Sequence, residues 1–147
     1  MPPHCDTLDG PVVKAAKRAL ETGNVNFILP WVPKKAEAEL KRAFERTLRV
    51  RKLGREAMEL SDYWFFETAV RLHREGEGAP YTGLKPAGLD WGPVVPRAEK
   101  AFEQGNAKEV IDFLLHTVEE ELQKRFEHAM AKKNYDENDV DAAREYV

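Results

Sequence analysis

A chain of 147 residues is long enough for one domain with a hydrophobic core. It is 42% hydrophobic and 33% charged, with a mean hydropathy of −0.60, which fits a globular chain and not a disordered one. A net charge of −3 argues against nucleic-acid binding, no apolar run is long enough to span a membrane, and a single cysteine excludes an internal disulfide.

Met1-Pro2-Pro3 has neither the basic region nor the apolar core of a secretion signal, so the chain reads as cytoplasmic. "HCDTLDGPVV" follows at residues 4–13. His4 and Cys5 carry donors that suit zinc, copper or nickel, and Asp6 adds an oxygen. Neighbours on an extended segment point to opposite sides, so a shared metal requires a bend. The plain alternative is a buried Cys5 beside an exposed His4. Asp9 reads as a helix N-cap, with Pro11 near the first helical position.

Val12, Val13, Ala16, Ala19 and Leu20 form the apolar stripe of a first helix that stops at Gly23-Asn24. "VNFILPW" is a short apolar segment broken by Pro30. The next helix spans about residues 34–52, with Ala36, Leu40, Ala43, Phe44 and Leu48 inward. Arg46, Arg49, Arg51, Lys52 and Arg55 can attract an anion, or form a polar face offset by nearby Glu.

A helix over about 55–74 contains Tyr63, Trp64, Phe65 and Phe66, apolar nearly all round, which predicts a central element. On it, Glu67 is either paired, for instance with Arg71 at i+4, or functional. His73 lies near the helix end, and the two can border one site. The Gly- and Pro-rich stretch 76–91 reads as a shaped loop whose Tyr81, Thr82 and Lys85 can line a pocket. Tyr63, Trp64 and Trp91 extend that pocket with aromatic surface, or are core. There is no GxxxxGK[ST], no GxGxxG and no nucleophile motif.

Helices are expected from Gly92 to about Gln104, from about Lys108 to Lys132, and from about Glu137 onward. "VIDFLL" lacks the prolines of "VNFILPW", so two segments fuse there. His116 with Glu119 and Glu120 reverses the Glu-x-x-His order of a di-iron bundle, and His128 among Lys124 and Arg125 reads as a solvated face.

The two halves match. "GPVVKAAKRALETGN" from Gly10 aligns without a gap on "GPVVPRAEKAFEQGN" from Gly92. The same offset pairs Glu37, Leu40 and Phe44 with Glu119, Leu122 and Phe126. This predicts an all-α single domain, a helical bundle of two tandem repeats with pseudo-twofold symmetry. Repeat one covers about 9–75, the loop 76–91, and repeat two 92–147. At this offset Val147 equals Phe65, so repeat two is expected to be incomplete, which favours self-association.

"HCDTLDGPVVKAAKRALETGNV", "YWFFETAVRLHREGEGAPYTGLKPAG" and "YDENDVDAAREYV" resemble a prokaryotic family of small helical proteins of unknown function. That resemblance implies a further helix containing a His after "AAREYV" and an exported form in some members. Locally, His4, Cys5, Asp6 and Gly10 resemble the nickel-binding hook of nickel superoxide dismutases. Asp9 stands where that hook has its second cysteine, and Leu8 where it has proline. The resemblance therefore implies a metal-holding fold of the segment and not dismutase activity.

The leading expectation is a metal-binding bundle, whether or not it is a metalloenzyme, since nothing selects a reaction. The ligands would be His4, Cys5, Asp6, Glu67 and His73, with Asp9 a weaker candidate, and the ion zinc, copper, nickel or iron. The alternatives are a self-associating interaction module and a small-molecule pocket, with no nucleic-acid or membrane partner.

Overall fold

The computed structural model describes residues 3–136 and 138–146. Met1, Pro2, Glu137 and Val147, which figure in the readings of the N-terminus, the last helix and the repeat's end, lie outside the described residues. Among the described residues six α-helices carry the fold: α1 (Pro11–Thr22), α2 (Glu37–Val50), α3 (Arg55–Glu77), α4 (Val94–Gln104), α5 (Lys108–Lys132) and α6 (Val140–Tyr146). Short 3₁₀ turns lead in and connect, and no strand occurs among the described residues. Among the described residues no helix is long and apolar enough to cross a membrane. The chain divides into two compact units, Met1–Asp90 and Trp91–Val147.

In the first unit, α3 is the central element and packs against both α1 and α2. The α1 stripe Val12, Val13, Ala16, Ala19 and Leu20 is buried. Leu40, Ala43 and Phe44 of α2 meet Phe65, Phe66, Ala69, Val70 and Leu72 of α3, with the Phe44 and Phe65 rings 5.8 Å apart. The run Tyr63–Phe66 divides by helical period: Phe65 and Phe66 point inward, while Tyr63 and Trp64 are exposed. A helix packed on two neighbours still keeps an outer face, so the expectation of an all-round apolar helix is corrected.

Helix α2 is shorter than 34–52, with 3₁₀ turns at Lys34–Ala36 and Arg51–Leu53 flanking it. Gly54, at φ 140°, turns the chain into α3 in a conformation L side chains rarely adopt. Helix α3 runs on to Glu77, three residues beyond the expected end.

Ahead of α1, Pro3–Asp6 forms a 3₁₀ turn that folds back on itself. The Thr7 backbone and hydroxyl both donate to the His4 carbonyl, at 3.3 and 2.8 Å. Gly10 seals the hook, because a Cβ there would lie 2.2 Å from the His4 carbonyl oxygen. The loop after α3 joins the hook edge to edge: Lys85 N–H donates to Asp6 O at 2.8 Å and Leu8 N–H to Lys85 O at 3.1 Å. Asp9 does not cap α1, whose N-cap is Gly10 without a side-chain bond. Its carboxylate instead accepts from the Gly88 N–H at 2.8 Å, and that bond and one from Thr7 hold its pKa below the usual carboxylate value.

The second unit contains α4, α5 and α6, with α5 packed against each of the others. "VIDFLL" lies inside α5. Arg97 stacks on the Phe113 ring at 4.1 Å, and Lys100 pairs with Glu109 at 2.7 Å. The ends of α1 and α4 are built alike. Gly23 and Gly105 are left-handed caps at φ 68° and 64°, followed by Asn24 and Asn106, which donate to Ala19 and Ala101. Both Asn side chains then accept from the amide two residues on.

Candidate functional site

Two places in the first unit gather polar side chains. The first is where the N-terminal hook meets the last turns of α3. Asp6 and Arg74 form a buried ion pair, Arg74 Nε donating to Asp6 Oδ1 at 2.6 Å, with side chains 3% and 4% exposed. Arg74 Nη1 donates to Glu77 at 2.8 Å, while its Nη2 is buried without a hydrogen bond. Cys5 is also buried.

His73, one residue before Arg74, has its Nδ1 2.8 Å from the Trp31 carbonyl, and its ring packs edge-on to Trp31 at 5.9 Å. Its Nε2 is buried without a hydrogen bond, with the Glu77 carboxylate 3.5 Å away.

The sequence-derived ligands are thus distributed over separate contacts. Asp6 is held by Arg74, His73 by Trp31, and Glu67 lies elsewhere. Among the described residues no group of three or more His, Cys, Asp and Glu is placed to hold a metal ion. His116 makes only an exposed 3.9 Å approach to Glu120.

The second place is a cleft of about 620 Å³ between α2 and α3. Helical spacing builds both walls. Glu39, Arg42, Arg46 and Arg49 follow one another at i, i+3, i+7 and i+10 along α2. Trp64, Glu67, Thr68 and Arg71 do so at i, i+3, i+4 and i+7 along α3. Glu45 also lines the cleft, and Tyr81 reaches in from the loop.

Arg71 closes one side, bridging Glu39 across the cleft and Glu75 at 2.6 Å on its own helix. Arg71 therefore pairs with those two carboxylates, and the i+4 partnership expected with Glu67 does not form. Glu67 accepts from the Tyr81 hydroxyl at 3.3 Å. Arg42, Arg46 and Arg49 make no ion pair with any described carboxylate. Arg51 of the same run is used structurally, in an ion pair with Asp62 at 2.9 Å and with Nη1 donating to the Leu20 carbonyl at 2.9 Å, and Arg55 pairs with Glu59.

Of the aromatic and loop residues singled out in the sequence, Trp64 and Tyr81 line this cleft. Tyr63 is exposed and Trp91 belongs to the second unit. Lys85 Nζ donates to the Thr82 carbonyl at 3.0 Å, within the loop. Arg42 and Arg74 carry no mark in the sequence reading, and Arg71 enters it only as a partner for Glu67. A face-by-face reading of α2 would have aligned Arg42 with Arg46 and Arg49. No local signal marks Arg74, because its partner is 68 residues away.

Burial, the Glu67 charge and the bond to Glu67 together push the Tyr81 phenol up to about 12. An unfolded tyrosine titrates near 10. The folded state therefore holds this proton more tightly, and its contribution to stability is complete below pH 10 and is lost as pH rises toward 12. In Tyr81→Phe, the decline of the urea midpoint between pH 10 and 12 is expected to be shallower. An unchanged alkaline limb would show that the phenol does not couple to folding.

The chain belongs to a family of unknown function, DUF6448, whose model matches residues 9–147. No curated protein and no solved structure matches it.

Proposed function

With the family itself of unknown function, we propose that the first unit binds a small organic anion in the cleft between α2 and α3. One observation carries this reading: Arg42, Arg46 and Arg49 line one wall without a carboxylate partner, opposite Trp64. Guanidinium groups match carboxylate or phosphate oxygens in pairs, and an aromatic face accepts the ligand's flat or apolar part. The Glu67–Tyr81 pair supplies an acceptor and a hydroxyl at the far side. The test is an NMR titration of the full chain with benzoate and with inorganic phosphate. Saturable shifts of the Trp64 indole and of the α2 amides around Arg46 are expected, and their absence overturns the reading.

A separate observation supports self-association through the second unit. We read that unit as a second copy of the motif in the first. Leu122 and Phe126, each 62% exposed, then stand where the first unit has Leu40 and Phe44, at 0% and 5%. Ile111, Leu115 and Val118 continue the same apolar face of α5. In the first unit the long helix α3 packs on α2 and covers these positions. A contiguous apolar face of this kind marks an interaction surface. Light scattering is expected to give a mass above 16.8 kDa that falls to the monomer value in Leu122→Glu/Phe126→Glu. A wild-type monomer at tens of micromolar overturns it.

Metal binding at the hook rests on His73, whose Nδ1 is taken by a carbonyl while Nε2 is buried without a hydrogen bond, the orientation a ligating imidazole adopts. Stoichiometric zinc, copper, nickel or iron in the purified chain, lost in Cys5→Ser and in His73→Ala, supports this third reading. A metal-free chain after reconstitution removes it.

A further inference from the structure

The arginine cleft is not isolated. A second cavity, of about 430 Å³, is lined by Arg46, Thr47, Val50, Leu60, Ser61 and Trp64. Two of these residues, Arg46 and Trp64, also line the arginine cleft. The two spaces therefore meet at one guanidinium and one indole. Beyond that junction the character changes from Arg42 and Arg49 to Val50 and Leu60. The Ser61 hydroxyl, the polar group on that side from α3, is turned back to the Met58 carbonyl at 3.1 Å. Leu60 is 75% exposed, so the groove has an apolar rim open to solvent.

We infer that the ligand is an amphipathic anion, a medium-chain fatty carboxylate, with its head on Arg42, Arg46 and Arg49 and its chain along Val50, Leu60 and the Trp64 face. This rests on the anion reading of the cleft and names the ligand class within it. Charge complementarity fixes the direction, because Arg42 and Arg49 line the cleft alone, Arg46 stands at the junction, and no cation lies beyond it. Apolar burial supplies the gain: each methylene removed from water is worth up to about fourfold in affinity. A carboxylate without a chain would leave the Val50–Leu60 side unused. An uncharged chain would leave the arginines unused.

The experiment is a titration of the full chain with acetate, butyrate, hexanoate and octanoate, and with octan-1-ol, all as monomers below their aggregation limits. Affinity is expected to rise about twofold to fourfold per methylene, and octanoate to exceed octan-1-ol by at least tenfold. Leu60→Asn, a neutral change at an exposed position that does not enter the core, is expected to flatten the chain-length gain and bring octanoate toward acetate. If acetate binds and octanoate binds no better, the amphipathic assignment falls and the anion reading stands. If octan-1-ol binds as tightly as octanoate, the arginines do not hold the head and the assignment falls. If no member of the series binds while benzoate or phosphate does, the amphipathic assignment alone falls; if none of these anions binds, both readings fall together.

Discussion

Replacing Asp6 with alanine is expected to lower the unfolding free energy by about 3–5 kcal/mol, the range found when one member of a buried ion pair is removed. Asp6 and Arg74 are almost wholly enclosed, and their bond is short at 2.6 Å. Without Asp6, Arg74 keeps one carboxylate, Glu77, in a site that water reaches poorly. Its Nη2 already lacks a hydrogen bond, so no spare acceptor takes over. The damage spreads along the chain, because the backbone of Asp6 also accepts from Lys85 and anchors the loop after α3.

Against a total stability of roughly 5–15 kcal/mol, usual for a domain, such a loss is a large fraction of the whole. The double variant Asp6→Ala/Arg74→Met removes both charges and is expected to recover part of the loss, since the cost lies mainly in the stranded guanidinium and not in the missing attraction. Urea unfolding of the wild type and the two variants checks this. A loss within about 1 kcal/mol for Asp6→Ala, the scale of an exposed pair, would show that the hook is open to solvent.

The same pair shows what a sequence can and cannot carry. The Gly23-Asn24 and Gly105-Asn106 helix ends were legible because the left-handed cap is a local property of glycine. The α1 stripe was legible because one helix face was apolar and the other was not. Asp9 was not, since a carboxylate before a Gly-Pro looks like an N-cap, and its real partner, the Gly88 amide, is 79 residues away. Tyr63–Phe66 misled for a different reason. Four apolar residues in a row carry no periodicity, so only packing decides which two turn inward.

The α2 arginines were visible as charge but grouped by adjacency, which mixed Arg51 and Arg55, both ion-paired, with Arg46 and Arg49, which are not. The cleft emerges only when α3 brings Trp64 and Glu67 opposite that stripe. Function legible from a single helix face thus stops at a charge pattern. The second wall comes from tertiary packing.

Arg46 is where both cavities meet, so it provides the most demanding test of the cleft. Arg46→Ala is expected to weaken octanoate binding about tenfold to a hundredfold, corresponding to about 1.5–3 kcal/mol for a hydrogen bond to a charged group. Arg46→Glu should abolish measurable binding, because a carboxylate at the junction repels the head as well as failing to hold it. The side chain is exposed and makes no ion pair, so the unfolding midpoint should stay near that of the wild type, as for most surface substitutions. Arg55→Ala is the control: it removes a cation of the same run whose partner is Glu59 and which lies outside both cavities, and affinity should hold. Raising ionic strength should weaken the wild type and leave Arg46→Ala less sensitive, since fewer charges remain to be screened. Equal affinities for Arg46→Ala and Arg55→Ala would mean that the cleft collects anions through general surface charge. The geometry of Arg42, Arg46 and Arg49 would then have no role in recognition.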